Sequence, residues 1–598
     1  MSKALAESVV WELESLYEGP SDPELEVDRQ WCRQQADSFA EDYRGKVSEL
    51  LPQALLDAVY RFENLQERLQ KLLSFAALHF ATRTHDAGAG ALWQATLEFY
   101  STIRRDTLFF ELEWTQLGER DAQAILSSGS LDRYRHYLES LRRYKPHLLS
   151  ETEERILAEK EPAGTSAWST LFDKVVSQLR FGDKQRTQSE VLSDLYHAER
   201  DARKLAALEL TDGLRGVLHI LAHTFNIILL DKSIMDRLRQ YPHWLRARNL
   251  TNEVDDDVVG ALVDAVASRY DLVHRYYRLK RRLLDYEELF DYDRYAPVPG
   301  LPKKVFPWGE AQEIVLAAYE SFSPRMAEIA GRFFDERWIH APVMPGKRGG
   351  AFAHSTVPSL HPFILLNYTG TYRDIMTLAH ELGHGIHQYL ARKQGLFNSE
   401  TPLTMAESAS VFGEMIVFRH ILERIEDSRE RAAVLCSKLE DIFATTFRQI
   451  SMNRFEDAIH TERREKGELA PERFSDLWIE SQGAMFGDAV RLLEHYNIWW
   501  CYIPHFIHSP GYVYSYAFGE LLVLALYRKY EEMGADFVPL YLELLEAGGK
   551  ARPDELLRPF GIDLADPLFW NEGLTILEDL LSRAEGASGS GSDSKEQA

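Results

Sequence analysis

Apolar residues recur at helical spacing wherever the chain is tested, and this limits the possible folds more than any other feature. From Val259 onward the apolar positions are Val259, Leu262, Val263, Val266, Tyr270 and Val273, a single stripe on a 3.6-residue repeat. The same pattern runs through residues 55–73, 205–230, 314–334, 415–443 and 521–545. Strand-like patterns are scarce. The clearest is Phe363-Ile364-Leu365-Leu366-Asn367-Tyr368, which follows proline- and glycine-bearing breaks at 297–307 and 341–350 and reads as a short buried strand. Nothing repeats at a fixed period, which excludes a solenoid of sequence repeats. A mostly α fold with a small β component is expected.

At 598 residues the chain exceeds what one hydrophobic core supports, so several domain-sized units or one large lobed enzyme are expected. Its 93 acidic and 68 basic residues give a net charge of −25, a field that repels phosphates and anionic lipid. Neither nucleic acid nor membrane is an expected partner. Cys32, Cys436 and Cys501 are too far apart in sequence for a disulfide framework or a CxxC motif, which points to a reducing compartment. The opening MSKALAESVVWELESLY is acidic where a signal peptide starts basic. Apolar runs such as 227–230 and 521–526 fall far short of the roughly 18 residues that span a bilayer. A cytoplasmic protein is expected, and its oligomeric state leaves no mark in the sequence. Gly346–Gly350, with Lys347 and Arg348, lacks the spacing of a phosphate-binding loop and reads as a mobile loop. The terminal GASGSGSDSKEQA, without an apolar anchor, reads as a disordered tail over residues 585–598.

His380-Glu381-Leu382-Gly383-His384 spells HExxH, a pattern that binds zinc when both histidines share one helix face. At about 100° per residue from His380, the apolar Ile375, Leu378, Leu382, Ile386 and Tyr389 fall near 160–240° and His384 near 40°. The imidazoles therefore face away from the core, and Glu381, at about 100°, can address a metal-bound water without itself binding the metal. Gly383 and Gly385 suit close approach of another element.

A catalytic zinc takes a third protein ligand. Glu407, Ser410 and Glu414 recur at i, i+3 and i+7 on one helix face, so Glu407 is a candidate and Glu414 suits a carboxylate that orients a ligand imidazole. Thr404-x-x-Glu407 also spells a capping box, in which Glu407 would only close the helix start. His387 is the competing ligand candidate; it follows His384 by less than a turn and suits a substrate-binding position better. On the residues alone these alternatives stand side by side.

The HELGHGIH helix followed by AESASVFGE resembles the oligoendopeptidase F branch of the thimet oligopeptidase family of gluzincin metallopeptidases. The resemblance continues in VWELESLYEGPSDPELEVD near the start, GKRGGAFA at 346–353, FILLNYTGTYRDIMTLAHELGH at 363–384 and DPLFWNEGL at 566–574, nearly the whole chain. It implies a large two-lobed, mostly helical metallopeptidase enclosing a deep substrate channel, with a small β-sheet beside the HExxH helix. An N-terminal helical lobe over residues 1–200 would cover the channel or serve as scaffold, and residues 201–584 would form the catalytic region. One zinc ion per chain would be held by His380, His384 and Glu407, with Glu381 as general base for hydrolysis of short peptides.

The resemblance also covers the segment from His505 to Tyr516, as a part of the protein that binds substrate and the developing oxyanion. His505, Tyr512 and Tyr516 are expected to be catalytic, the two tyrosines sharing a helix face, with Tyr514 and His508 beside the substrate. Gly511 stands where a bulky residue is expected. An extended peptide is expected to pair with the edge of the 363–368 strand. Two rivals remain: a zinc carboxypeptidase with a related HExxH helix, and a non-catalytic peptide-binding protein of the same fold. The second would have lost Glu381 or a ligand, and all four residues are present.

Overall fold

The computed structural model describes residues 5–300 and 304–589. Contacts divide the chain into two compact units, neither of them a continuous stretch. The first comprises Met1–Lys145, Lys303–Glu423 and Lys529–Ile562, the second Pro146–Pro302, Arg424–Arg528 and Asp563–Ala598. The first has an aromatic core around Phe39, Phe62, Phe110 and Trp114. In the second, Leu214, Phe225, Phe455, Trp478 and Trp500 form the centre of another.

Both units are mostly helical. The elements that position the residues of interest are α1 (Trp308–Phe322), α2 (Pro324–Asp335), β1 (Ile339–His340), β2 (Phe352–His354), β3 (Phe363–Leu365), α3 (Tyr372–Ala391), α4 (Leu403–Leu422), α5 (Phe447–Lys466) and α6 (Tyr514–Met533). Several long periodic stretches are each two helices. Residues 314–334 break at Ser323-Pro324, where proline lacks an N–H and Ser323 Oγ caps Met326 N at 3.4 Å. Residues 415–443 break ahead of Asp427, whose carboxylate accepts from the amides of Arg429 and Glu430 at 2.9 and 2.8 Å. Residues 521–545 break at Gly534, with φ +58°. The 205–230 stretch is a pair, Arg200–Arg215 and Leu218–Leu238, bent by 70°. Among the described residues no single helix is long and apolar enough to cross a membrane; only this bent pair passes a test of length and composition.

The sheet has the order β1-β3-β2, with β1 parallel and β2 antiparallel to β3. Phe363, Ile364 and Leu365 are fully buried, as the apolar run predicts. The strand is nonetheless central: Ile364 and Leu366 amides donate to the carbonyls of Trp338 and His340, both at 2.9 Å, and β2 occupies the other side. It has no edge for a peptide to join, which corrects that expectation. The 346–350 loop is likewise tied down. Lys347 Nζ donates to the carbonyls of His340 at 3.1 Å, of Pro342 at 2.7 Å and of Leu366, while the Arg348 amide donates to Ala81 O at 2.7 Å. Burial holds the Lys347 ammonium down at about 7. At the other end, the helix Pro567–Gly589 carries residues 585–589 of the expected tail as helix, with Glu585 paired to Arg275 at 2.9 Å. The rest of that segment lies outside the described residues.

Candidate active site

Helix α3 starts on a capping box of its own. Thr371 Oγ1 accepts from the Asp374 amide at 3.2 Å, and the Asp374 carboxylate accepts from the Thr371 amide at 2.8 Å. Ile375, Leu378, Leu382 and Ile386 are fully buried on one side, and the rings of His380 and His384 leave on the other, 4.9 Å apart. Helix α4 packs so closely that a Cβ on Gly383 would stand 2.4 Å from the Ala409 carbonyl oxygen. A side chain there would wedge the two helices apart. Gly385 gives the same clearance to the Phe333 ring, 2.6 Å from an added Cβ.

This approach brings Glu407 Oε2 to 3.5 Å from His380 Nε2 and 3.6 Å from His384 Nε2. Donors at about 2.0–2.2 Å from a shared tetrahedral centre stand roughly 3.3–3.6 Å apart, so Glu407 is spaced from each imidazole as a fellow ligand would be, and all three donor atoms lie within 4.8 Å of one another. Glu407 lies a turn inside α4, which begins at Leu403 after Pro402, and Thr404 is the second helical residue rather than its cap. The capping-box alternative is thereby removed. Instead the Glu407 carboxylate accepts from Ser410 Oγ at 2.6 Å. Glu414 Oε2 lies 3.4 Å from His380 Nδ1, and the Ala406 carbonyl meets the His384 ring. Both imidazoles are thus held on a second side, as metal-ligating histidines commonly are.

The electrostatics suit a cation. Burial by itself would pull His380 down, yet Glu414, Glu407 and Glu381 hold it up at about 9. Burial would raise Glu407, but the two imidazoles and Ser410 keep it below the usual carboxylate range. Burial pushes Glu381 up to about 7, with the Ala353 amide of β2 against its carboxylate. Two imidazoles and three carboxyls in one patch hold a surplus of negative charge that a bound cation balances, and this donor set is one that zinc takes. The residues fit a zinc ion.

His387 is buried, 6% exposed, and desolvation holds it down at about 4. Sequence reasoning missed Tyr319 on α1: it is fully buried, its hydroxyl donates to Ala379 O at 2.7 Å, and burial and then Glu414 raise its pKa. It lies some 60 residues before the motif, and nothing local marks it.

In the second unit, His505 Nε2 and Tyr516 Oη are 3.2 Å apart, and the Tyr512 ring lies 6.0 Å from His505 and 5.0 Å from Tyr516. The three come together, but not as one helix face: α6 begins at Tyr514, and Tyr512 sits in the preceding turn, its amide donating to Ser509 O at 3.0 Å. Gly511 makes that turn, with φ +75° and an added Cβ 2.6 Å from Leu245, so the expected bulky residue does not fit. Its amide donates to Glu456 Oε1 at 2.9 Å on α5. Tyr514, expected beside substrate, is fully buried: its hydroxyl donates to Asn249 Oδ1 and accepts from Asn252 Nδ2, both at 2.8 Å. It is a core residue. His508 pairs with Asp173 at 2.9 Å.

HExxH imidazoles converging with a carboxylate from the next helix define a centre of the metallopeptidase kind. The chain belongs to peptidase family M3, whose profile matches residues 195–576; members of the family are zinc metallopeptidases. A profile described as Oligopeptidase F matches residues 113–181. Among curated relatives, oligopeptidase PepF of Bacillus subtilis is 26% identical over 592 residues, covering 96% of this chain and 88% of its own. Group B oligopeptidase PepB of Streptococcus agalactiae is 27% identical, covering 89% of this chain and 90% of its own. The crystal structure of oligoendopeptidase-F from Enterococcus faecium matches the fold with a TM-score of 0.72 at 23% identity, over 95% of this chain and 99% of its own. The protein is a peptidase.

Proposed function

We propose that this peptidase is a zinc-dependent endopeptidase of short peptides, acting in the cytoplasm. The observation that carries the reading is the convergence of His380, His384 and Glu407, with Glu381 on the same helix beside them. The relatives' names, oligopeptidase and oligoendopeptidase, support the size of substrate and the internal cut. The cytoplasmic reading rests on three cysteines that are buried thiols.

His380, His384 and Glu407 would hold one zinc ion, which supplies a Lewis acid that acidifies bound water and polarises the scissile carbonyl. Glu414 and the Ala406 carbonyl keep the two imidazoles oriented. Glu381 receives the proton from the attacking water and delivers it to the leaving amine, a role suited to a buried carboxyl beside the ligands. His505 and Tyr516, with Tyr512 packed against both, donate to the oxyanion as charge develops. His387 and His508 are substrate-binding candidates. β2, rather than β3, lies at the edge of the sheet beside Glu381 and is the strand assigned to an extended peptide.

The test is metal analysis of the purified protein combined with mass spectrometry of the products from a peptide library. One zinc per chain and internal cuts are expected. Residues removed only from free C-termini would make it a carboxypeptidase, and binding without turnover would make it a peptide-binding protein.

A further inference from the structure

The second unit contains a cavity of about 100 Å³ lined by Arg294, Arg448, Tyr277, Tyr295 and Phe486, among others. Its charge is unusual. Arg294 is 5% exposed; its Nε donates to the Asp291 carbonyl at 2.8 Å and its guanidinium lies 4.9–5.3 Å from the rings of Tyr295, Tyr496 and Phe486. Arg448, on α5, is half-buried, with Tyr295, Tyr502, Tyr496 and the like charge of Arg294 as its electrostatic neighbours. Among the described residues neither guanidinium has a carboxylate at ion-pair distance; Asp291 acts on Arg294 from further off, its carboxylate held by His495 at 2.6 Å. The two acidic residues on the wall do not supply one: Glu440 is engaged by Lys280 Nζ and Tyr276 Oη, and Asp441 is exposed. Buried or half-buried cations without a counterion are costly, and the cost is offset when an anion enters.

The field inside is correspondingly positive. Burial would raise the Tyr295 hydroxyl, yet Arg448, Arg294 and Lys280 pull it below its ordinary value. The charge of Arg448 also reaches the His/Tyr group. After burial, Arg448 is the largest influence holding His505 below the usual imidazole range.

We propose that this cavity is a carboxylate-recognising subsite for peptide substrates, with Arg448 as the charge that pairs with the substrate carboxylate and Arg294 as the fixed cation behind it. Arginine suits the task because its planar fork meets both carboxylate oxygens. The volume admits a carboxylate on a short stem, so the group is either a peptide's C-terminal carboxylate or an Asp or Glu side chain. The proposal rests on the peptide-hydrolase reading above and adds substrate preference to it.

The experiment compares matched peptides. One pair differs only as C-terminal acid or amide, and a second, amidated series carries Glu or Gln at each position in turn. For the wild-type enzyme, kcat/KM should favour the carboxylate member of one pair on the order of 10- to 100-fold, the range of a charge-assisted contact. A preference in the first pair identifies the C-terminus, and one at a fixed position in the second identifies a side chain. Arg448→Gln should bring the ratio near one, mainly through KM of the carboxylate member. Arg448→Lys should retain part of the preference, and guards against misfolding of the first variant. Ratios near one throughout in the wild type, or an unchanged ratio in Arg448→Gln, would overturn the proposal. Binding of the same peptides to Glu381→Gln protein, by titration calorimetry, separates it from the catalytic reading. Acid-selective binding that depends on Arg448, beside a wild type that cleaves none of these peptides, would leave the subsite standing and remove the peptidase mechanism. Cleavage by the wild type with binding that shows no acid selectivity would do the reverse.

Discussion

His380 and His384 stand on one regular helix, four residues apart, whereas His505, Tyr512 and Tyr516 are gathered by a short turn on a glycine. In the first cluster the helix repeat fixes the direction of each side chain, and one close helix pairing at Gly383 brings in the third group. In the second, the rings meet because Gly511 takes a left-handed conformation and Glu456 holds its amide. A cluster on rigid helices tolerates change everywhere except at its own residues and at the contact between the helices. A cluster on a turn depends as much on the backbone that bends it as on the side chains it presents.

The largest expected effect breaks the first cluster. Glu407→Ala should lose zinc and with it all measurable turnover, while far-ultraviolet circular dichroism stays unchanged, because Glu407 is not the cap of α4. Zinc at one per chain in the folded variant would sink the ligand assignment and reopen His387. Glu381→Gln sharpens the contrast between ligand and base: kcat should fall by about 10²–10⁴ with zinc retained. Loss of metal here would mean that Glu381 helps hold it.

Smaller effects probe the second cluster. Tyr516→Phe keeps the ring against Tyr512 but removes the hydroxyl 3.2 Å from His505, and kcat should drop on the order of 10²–10³ with KM and zinc nearly unchanged. A silent Tyr516→Phe would leave this group a packing cluster. Tyr514→Phe should be the mildest in kcat, within a few-fold, yet should destabilise the fold by about 1–3 kcal/mol in denaturant unfolding, since Asn249 and Asn252 lose their buried partner. A large loss of kcat without loss of stability would return Tyr514 to the reaction.

Much of the candidate metal site is legible because a helix converts spacing into direction: HExxH, the apolar back of α3 and the Glu407–Glu414 face need only 100° per residue. The strand at 363–365 was legible as buried, but not its place between two others, since a three-residue strand carries no record of its neighbours. Sequence spacing puts Tyr512 on a helix that in the structure begins two residues later, because a turn around glycine obeys no period.

The sequence by itself determined the helical class, the two imidazoles, the carboxyl beside them and the family, all of which rest on local spacing or on motif identity. Tertiary structure decided the rest. It settled whether Thr404 and Glu407 form a cap, put Tyr319 behind Ala379 and Glu414, broke the long periodic stretches into pairs, and left Arg294 and Arg448 lining a cavity with no carboxylate at ion-pair distance from either. Each of these depends on which distant backbone fills the space next to a residue, and apolar periodicity tells only that a face is buried, not what buries it.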